Sequence, residues 1–410
     1  MVDAERVQNT GQIHPRDFSW RFWWALPLYP FGSRRTIRKE VVKDTIWTFD
    51  QIQGIFYVVV PIRMSVVKLE DGGLLVYSPV APTQECVRLV RELEEQHGYV
   101  KYIILPTISG LEHKVFTGPF ARCFPNARVF VAPNQWSFPL NLPLSWLGLP
   151  LKRTQILSED SSQTPFVNEF DYAILGPIEL GPGRFEEVAF FHRRSQTLLV
   201  TDSVVSVPEE PPAIVQLDPY PLLFHAKDSA SDIVEDTQAN RRKGWQRISL
   251  FAFYFQPSML NVVEWSQVLR NALKAPERSK KAYFGLFPFN WNPEWKRSFD
   301  TLQGNGRLFV APILQALILN RAPQETIAWA NKVASWGFQW IIPCHLDAPI
   351  KATPQQFRQA FSFLEKQPPV SASLFSSNSY PLPEEDFKLL RVLDKRLSNF
   401  GIVPPAKEKI

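Results

Sequence analysis

Three short apolar runs in this chain each end on residues able to hold a metal ion. YIILPT (102–107) leads through a short loop to Glu112-His113, TLLVT (197–201) runs straight into Asp202, and WIIPC (340–344) runs straight into His345. Imidazole nitrogen and carboxylate oxygen suit Zn, Fe or Mn. In α/β proteins such groups collect at the carboxyl ends of strands, where loops project from a rigid scaffold. The same residues also have a plain reading, as hydrogen-bonded pocket side chains without an ion. Cys344, beside His345, is either a thiol nucleophile or a small core residue closing a strand. His225, near Asp228 and Asp232, reads as a surface-loop residue or as a further ligand. His192, beside Arg193 and Arg194, reads as solvated at a hairpin turn. The sequence contains no His-x-His, no His-Glu-x-x-His, no Gly-x-Ser-x-Gly and no Gly-rich phosphate loop. Serine-elbow hydrolysis and the usual modes of nucleotide binding are thereby disfavoured.

The elements that would position these residues follow an α/β pattern. β-rich runs occupy about 45–80, with Asp71-Gly72 marking a tight turn between two of them. Residues 83–98 have helical periodicity, with Thr83 as N-cap and Gly98 as stop. A strand, a polar loop, a helix at about 114–124 and another strand (ARVFVAP) come next. Residues 135–165 are loop-rich, and 170–205 reads as consecutive strands turning at RRSQ. Residues 206–310 break the rhythm. They are rich in Pro, Trp and Phe and read as a helical insertion, whose clusters at 245–255 and 284–295 form core and lid and can line a pocket for an apolar or aromatic ligand such as a pigment or quinone. Helical patterns return at 312–320, 323–336 and 353–366, around a last strand at 339–345.

Composition sets the frame. The chain has 410 residues, 45% of them hydrophobic, which is ample for a large core. Its 36 prolines argue against a helical bundle. Three cysteines (Cys86, Cys123, Cys344) form no paired framework, which points to a reducing, intracellular compartment. The polar first residues show no signal peptide, and no run of about 20 apolar residues is present to span a membrane. A net charge of +5, with both signs interspersed, gives no expectation of nucleic acid as a partner. Residues 20–38 mix aromatic residues with Arg21, Arg34, Arg35 and Arg38. They read either as an arm packed over the core or as a peripheral contact with an anionic membrane.

The segments IWTFDQIQGIFYVVVPIRM, LLVYSPVAPT, YIILPTISGLEHKVFTGPFARCFPNARVFVAP, TLLVTD and IIPCH together resemble the metallo-β-lactamase-like superfamily. More narrowly, they resemble a domain-of-unknown-function family of cyanobacteria and plant plastids. The resemblance implies an α/β fold, an αββα sandwich over 39–370 with the insertion at about 206–310, an N-terminal arm (1–38) and a peripheral C-terminal tail (371–410). It also implies a cytoplasmic or stromal protein.

The superfamily's Thr-His-x-His-x-Asp-His falls on Thr107–His113. Its two leading histidines become Ile108 and Gly110, its Asp becomes Glu112, and His113 is kept. The Pro-Gly-His turn falls on Pro182-Gly183-Arg184, the bridging Asp on Asp202, and the final His on His345. The resemblance thus implies that one metal position is lost and that Glu112, His113, Asp202 and His345 remain for the other. Two states are open. In one, Arg184 replaces the lost charge by pairing with Asp202, and the protein is a non-catalytic binding or assembly protein for a small molecule or protein. In the other, one Zn, Fe or Mn ion sits on the four residues and the chain is a mononuclear hydrolase.

Overall fold

The computed structural model describes residues 14–22, 24, 27–108, 112–135, 143–146, 148–366 and 382–410. The first part of the expected arm (1–13), part of 135–165, Gly110 and the start of the tail (367–381) lie outside the described residues.

Two sheets face each other. The first runs β1 (Ile37–Val42), β2 (Ile46–Ile55), β3 (Val58–Lys68), β4 (Leu74–Tyr77), β5 (Val100–Leu105), β6 (Arg128–Val131), β7 (Thr154–Ile156), in that spatial order. It is antiparallel from β1 to β4 and parallel from β4 to β7. The second sheet contains β8 (Phe170–Glu179), β9 (Arg184–His192) and β10 (Thr197–Val200). A small ribbon, β11 (Leu260–Val262) with β12 (Phe289–Trp291), lies apart, and β13 (Trp340–Pro343) and β14 (Ile350–Lys351) complete the second sheet in the order β14-β13-β10-β9-β8.

Strand sequences that are apolar at every position follow from burial on both faces. In β4, Leu74 and Val76 point out to the helices, while Leu75 and Tyr77 point in to the second sheet. This is the two-residue alternation of a pleated strand. Leu198 and Leu199 of β10, and Ile341 and Ile342 of β13, divide the same way between the outer core and the inter-sheet core. Gly72 and Gly73 turn β3 into β4 with φ of 78° and 84°, values that a side chain would disfavour.

Helix α1 (Gln84–His97) and helix α2 (His113–Cys123) cover the first sheet. Thr83 caps α1 by accepting the Cys86 N–H at 3.2 Å, and Gly98 ends it, as the sequence predicts. The insertion supplies α3 (Ala213–Gln216), α4 (Tyr220–Ala226), α5 (Gln238–Tyr254), α6 (Trp265–Ala272) and α7 (Trp295–Gln303). Then α8 (Pro312–Leu317), α9 (Pro323–Ala334) and α10 (Pro354–Gln359) follow, and α9 and α10 cover the second sheet through Ile327, Trp329 and Phe357. The layers are therefore helix, sheet, sheet, helix: an αββα sandwich.

The insertion does not stand apart. Ile214, Leu222 and Trp245 share one core with Ile52 and Val59 at the β2–β3 tip. At Gly244 a Cβ would stand 1.8 Å from the Leu222 carbonyl oxygen, so α5 and α4 touch backbone to backbone. The C-terminal helix α11 (Lys388–Asn399) joins this core through fully buried Leu390, and Arg321 pairs with its Asp394 at 2.5 Å. This described part of the tail is thus docked rather than peripheral, because Phe387 and Leu390 are apolar and meet the insertion.

The aromatic-arginine arm is packed down. Trp20 lies edge-on to Phe116 with ring centroids 5.3 Å apart. Arg34 is fully buried and donates to the Ile52 carbonyl at 2.9 Å, and Arg35 pairs with Glu85 at 3.3 Å. Trp20 and Arg34 are therefore inside, not available to a lipid surface, while Phe22 and Trp24 are exposed.

Candidate metal centre

Three strand ends deliver the site. Asp202 follows β10 and His345 follows β13, each with one residue between, and Glu112 precedes α2, which is reached from β5 through a loop. β10 and β13 are parallel neighbours, so their carboxyl ends emerge side by side. His345 Nε2 lies 3.0 Å from Glu112 Oε2 and 3.1 Å from Asp202 Oδ1. One donor atom from each residue falls within 4.8 Å of the other two. All three side chains are partly buried.

Backbone contacts orient the imidazoles. His345 Nδ1 donates to the Pro61 carbonyl at 3.0 Å, and His113 Nδ1 donates to the Pro79 carbonyl at 3.1 Å. These bonds fix which nitrogen carries the proton and turn Nε2 toward its neighbours, as with metal-bound histidines. His113 Nε2 is buried without a hydrogen-bond partner. Burial, more than any neighbouring charge, lowers its pKa, so it stays neutral. Its nitrogen is not among the three that converge.

Without an ion, two carboxylates facing one nitrogen require a proton there. Burial opposes the charge on His345, but Glu112 and Asp202 outweigh it and hold the imidazolium pKa well above the usual range. Burial likewise opposes the charge of Glu112, yet the His345 charge pulls its carboxyl down to about 2.

Two residues that the sequence does not advertise hold this geometry. Glu187 in β9 is fully buried and accepts four hydrogen bonds at 2.8–3.0 Å, from the N–H groups of Thr201, Asp202 and Ser203 and from the Ser203 hydroxyl. Burial and nearby Asp202 push its carboxyl up to about 7, against those four donors. Arg63 in β3 pairs with Asp50 at 2.7 Å and donates to the Pro343 and Leu346 carbonyls, both at 2.9 Å. It clamps the loop that carries His345. The only sequence signal for either is a charge inside a strand run, FEEVAFFH and PIRMSVV, where a buried charge must have partners.

Several sequence-based expectations change. Arg184 does not face Asp202. It begins β9 at the hairpin, 39% exposed, and pairs with Glu179 at 2.7 Å, because the antiparallel register sets it directly opposite Glu179 in β8. The charge that answers Asp202 is His345 itself. Cys344 is buried and burial raises its pKa well above the usual thiol value, so it is a core residue rather than a nucleophile. His192 is not solvated: it is fully buried, with Ser195 Oγ 2.7 Å from Nδ1. His225 is also fully buried, in the last turn of α4, with Nε2 donating to the Phe56 carbonyl at 3.1 Å. The apolar run PLLF draws it in.

Burial holds the pKa of both His192 and His225 at about 4. Each is lowered, so the stability it confers is full above the unfolded value of about 6.5 and is lost as pH falls toward 4. Each should cost about 2 kcal/mol of unfolding free energy between pH 7 and pH 5. Urea titrations at the two pH values should show H192N losing about 2 kcal/mol less than wild type over that interval. An equal loss would show that His192 is not the group titrating.

Among the described residues, no helix is long and apolar enough to cross a membrane. A search of the curated proteins returns no match. Among solved structures, the DIM-1 metallo-β-lactamase is similar at 10% identity and TM-score 0.39, over 80% of this chain and 97% of that one. The metal-soaked Flv1 flavodiiron core from Synechocystis sp. PCC6803 is similar at 10% identity and TM-score 0.37, over 80% of this chain, which spans only 60% of that core. A fragment of a putative diflavin flavoprotein A 5 from Nostoc sp. PCC 7120 is similar at 10% identity and TM-score 0.39, over 81% of this chain and 95% of that fragment. Residues 43–363, most of the chain and all of the site, match one family, Domain of unknown function (DUF4336), and the chain belongs to it.

Proposed function

We propose that this chain is a mononuclear metal-dependent hydrolase in which Glu112, Asp202 and His345 hold one Zn, Fe or Mn ion. The observation that supports it is the convergence of their three donor atoms, with His345 fixed by Pro61 so that Nε2 faces both carboxylates. Ligand atoms about 2.0–2.1 Å from a tetrahedral ion stand roughly 3.4 Å from one another, and the two spacings from His345 Nε2, 3.0 and 3.1 Å, are close to that. Buried His113, next to Glu112 in the chain, has an Nε2 without a hydrogen-bond partner and offers a further neutral imidazole. Such an ion supplies Lewis acidity and lowers the pKa of a bound water toward neutrality. The protein's own part is to hold the donors in place, with Glu187 fixing the Asp202 turn and Arg63 fixing the His345 loop.

A second reading rests on a different observation: the His345 imidazolium already answers both carboxylates. On that reading the chain is a metal-free binding protein of the same architecture. Elemental analysis separates the two. Protein from cells supplied with Zn, Fe and Mn should carry close to one ion per chain, and the D202N variant should carry almost none. A wild-type content below a tenth of an ion would leave only the metal-free reading.

A further inference from the structure

A cavity of about 710 Å³ lies between the β2–β3 tip and the insertion, within the size range of small-molecule sites. Val60, Phe224, Phe251 and Phe289 line its interior. Its few polar side chains include Gln53 and Glu112, and Glu112 belongs to the candidate metal centre. A wall of this kind excludes charged and strongly hydrated ligands and favours hydrocarbon.

The mouth is apolar as well. Ile55, Phe56, Phe255 and Trp265 line the cavity and are exposed. From Trp265 an outward row continues along α6 to its C-cap: Trp265, Leu269 and Leu273 are spaced by four residues and are 64%, 59% and 73% exposed. Val268 and Ala272 lie beside this row on the same apolar face of α6 and are buried against the protein, so the face is only half covered and its outer half, Trp265, Leu269 and Leu273, is left bare. Phe284, also exposed, extends the apolar rim. Large apolar side chains gathered in this way mark an interaction surface.

Charge identifies what that surface meets. Residues 264–281 contain five basic side chains (Arg270, Lys274, Arg278, Lys280 and Lys281) against Glu264 and Glu277, and all five are exposed. An apolar row flanked by Lys and Arg suits the interface of an anionic bilayer. A second copy of the chain would set these positive charges against one another.

We propose that α6 docks this face on an anionic lipid bilayer and that the cavity behind it takes a hydrocarbon chain from that bilayer, the chain's polar end reaching toward Glu112. The last placement rests on the Glu112 centre being the site of chemistry; the docking and the uptake do not. The expected substrate class is thus a lipid with a long apolar chain and one cleavable polar group.

The test uses the full-length protein and vesicles of phosphatidylcholine with phosphatidylglycerol. Wild type should pellet with them, less so as salt rises, and not with phosphatidylcholine alone. L269E/L273E should weaken pelleting by at least about tenfold, since it replaces two outward apolar contacts with charges of the lipid's own sign. Uptake is read with vesicles carrying a pyrene-labelled phosphatidylcholine, whose excimer emission falls as the protein withdraws the chain. A252W, which fills the cavity, should cut that loss at least about tenfold while leaving pelleting unchanged; W265E, at the mouth, should reduce both.

Pelleting of L269E/L273E equal to wild type overturns the docking, and uptake by A252W equal to wild type overturns the cavity's role. A dimer that becomes monomeric in L269E/L273E, with no vesicle binding by wild type, assigns the face to a second copy and overturns the proposal. Absence of bound metal alongside normal pelleting and uptake removes the hydrolase reading and leaves this one standing.

Discussion

In the H345A variant, kept free of divalent ions at pH 7, the unfolding free energy should fall by about 3 kcal/mol. Removing the imidazolium leaves Glu112 and Asp202 facing each other with no counter-charge, in a site where each is only about a quarter exposed. The pH dependence carries a sign. The His345 pKa is raised, so its contribution is full below the unfolded value of about 6.5 and is lost as pH climbs through the higher folded value. The Glu112 pKa is depressed to about 2, so its contribution is present above the unfolded value of about 4.3 and is lost as pH falls toward 2. The gap between wild type and H345A should therefore be widest from about pH 5 to 7 and should narrow on both sides. Denaturant titrations across pH check this. A gap that grows steadily toward alkaline pH would contradict the protonated triad.

A metal ion must displace the same Nε2 proton. Calorimetric Zn²⁺ titrations in buffers of different ionisation enthalpy should thus show release of about one proton per ion bound. No proton release would place the ion elsewhere.

The second large effect belongs to Glu187. E187A orphans the N–H groups of Thr201, Asp202 and Ser203 together. Each buried orphan costs about 1–3 kcal/mol, so the total should reach roughly 4 kcal/mol with water entering to relieve part of it. E187Q keeps the shape and an accepting oxygen but brings an amide N–H₂ against backbone donors, and should lose about half as much. Because Glu187 positions Asp202, E187Q should also weaken metal binding by about 10–100-fold with one ion per chain retained at saturation. A structural role without positioning would change stability alone and leave the metal dissociation constant where it was.

How much of this could be seen in the sequence varies with the range of the interaction. The ends of β10 and β13 are legible because a two-sided strand is an unbroken apolar run, and the first polar residue after it marks the rim of the sheet. Helix α1 is legible because Thr83 and Gly98 are local signals. Arg184 misleads because a Pro-Gly turn fixes the backbone bend but not the direction of the next side chain. Glu187 and Arg63 stay hidden because their partners, at 201–203 and at 343 and 346, are supplied by other strands. The cavity is the least legible feature. Its walls come from residues 28, 53–56, 58, 60, 112, 224, 251, 252, 255, 265, 283, 286, 288 and 289, which no periodicity connects. The aromatic richness of the insertion signals only that a large apolar surface must go somewhere.

The core shared by Ile52, Val59, Trp245 and Leu390 has a consequence for ancestry. A sandwich stripped of residues 206–310 would present Ile52 and Val59 bare to water, so the stretch is no removable cassette. Relatives that have shed it should have exchanged those two aliphatic residues for hydrophilic ones, and aligned genomes would show the deletion and the exchanges travelling together.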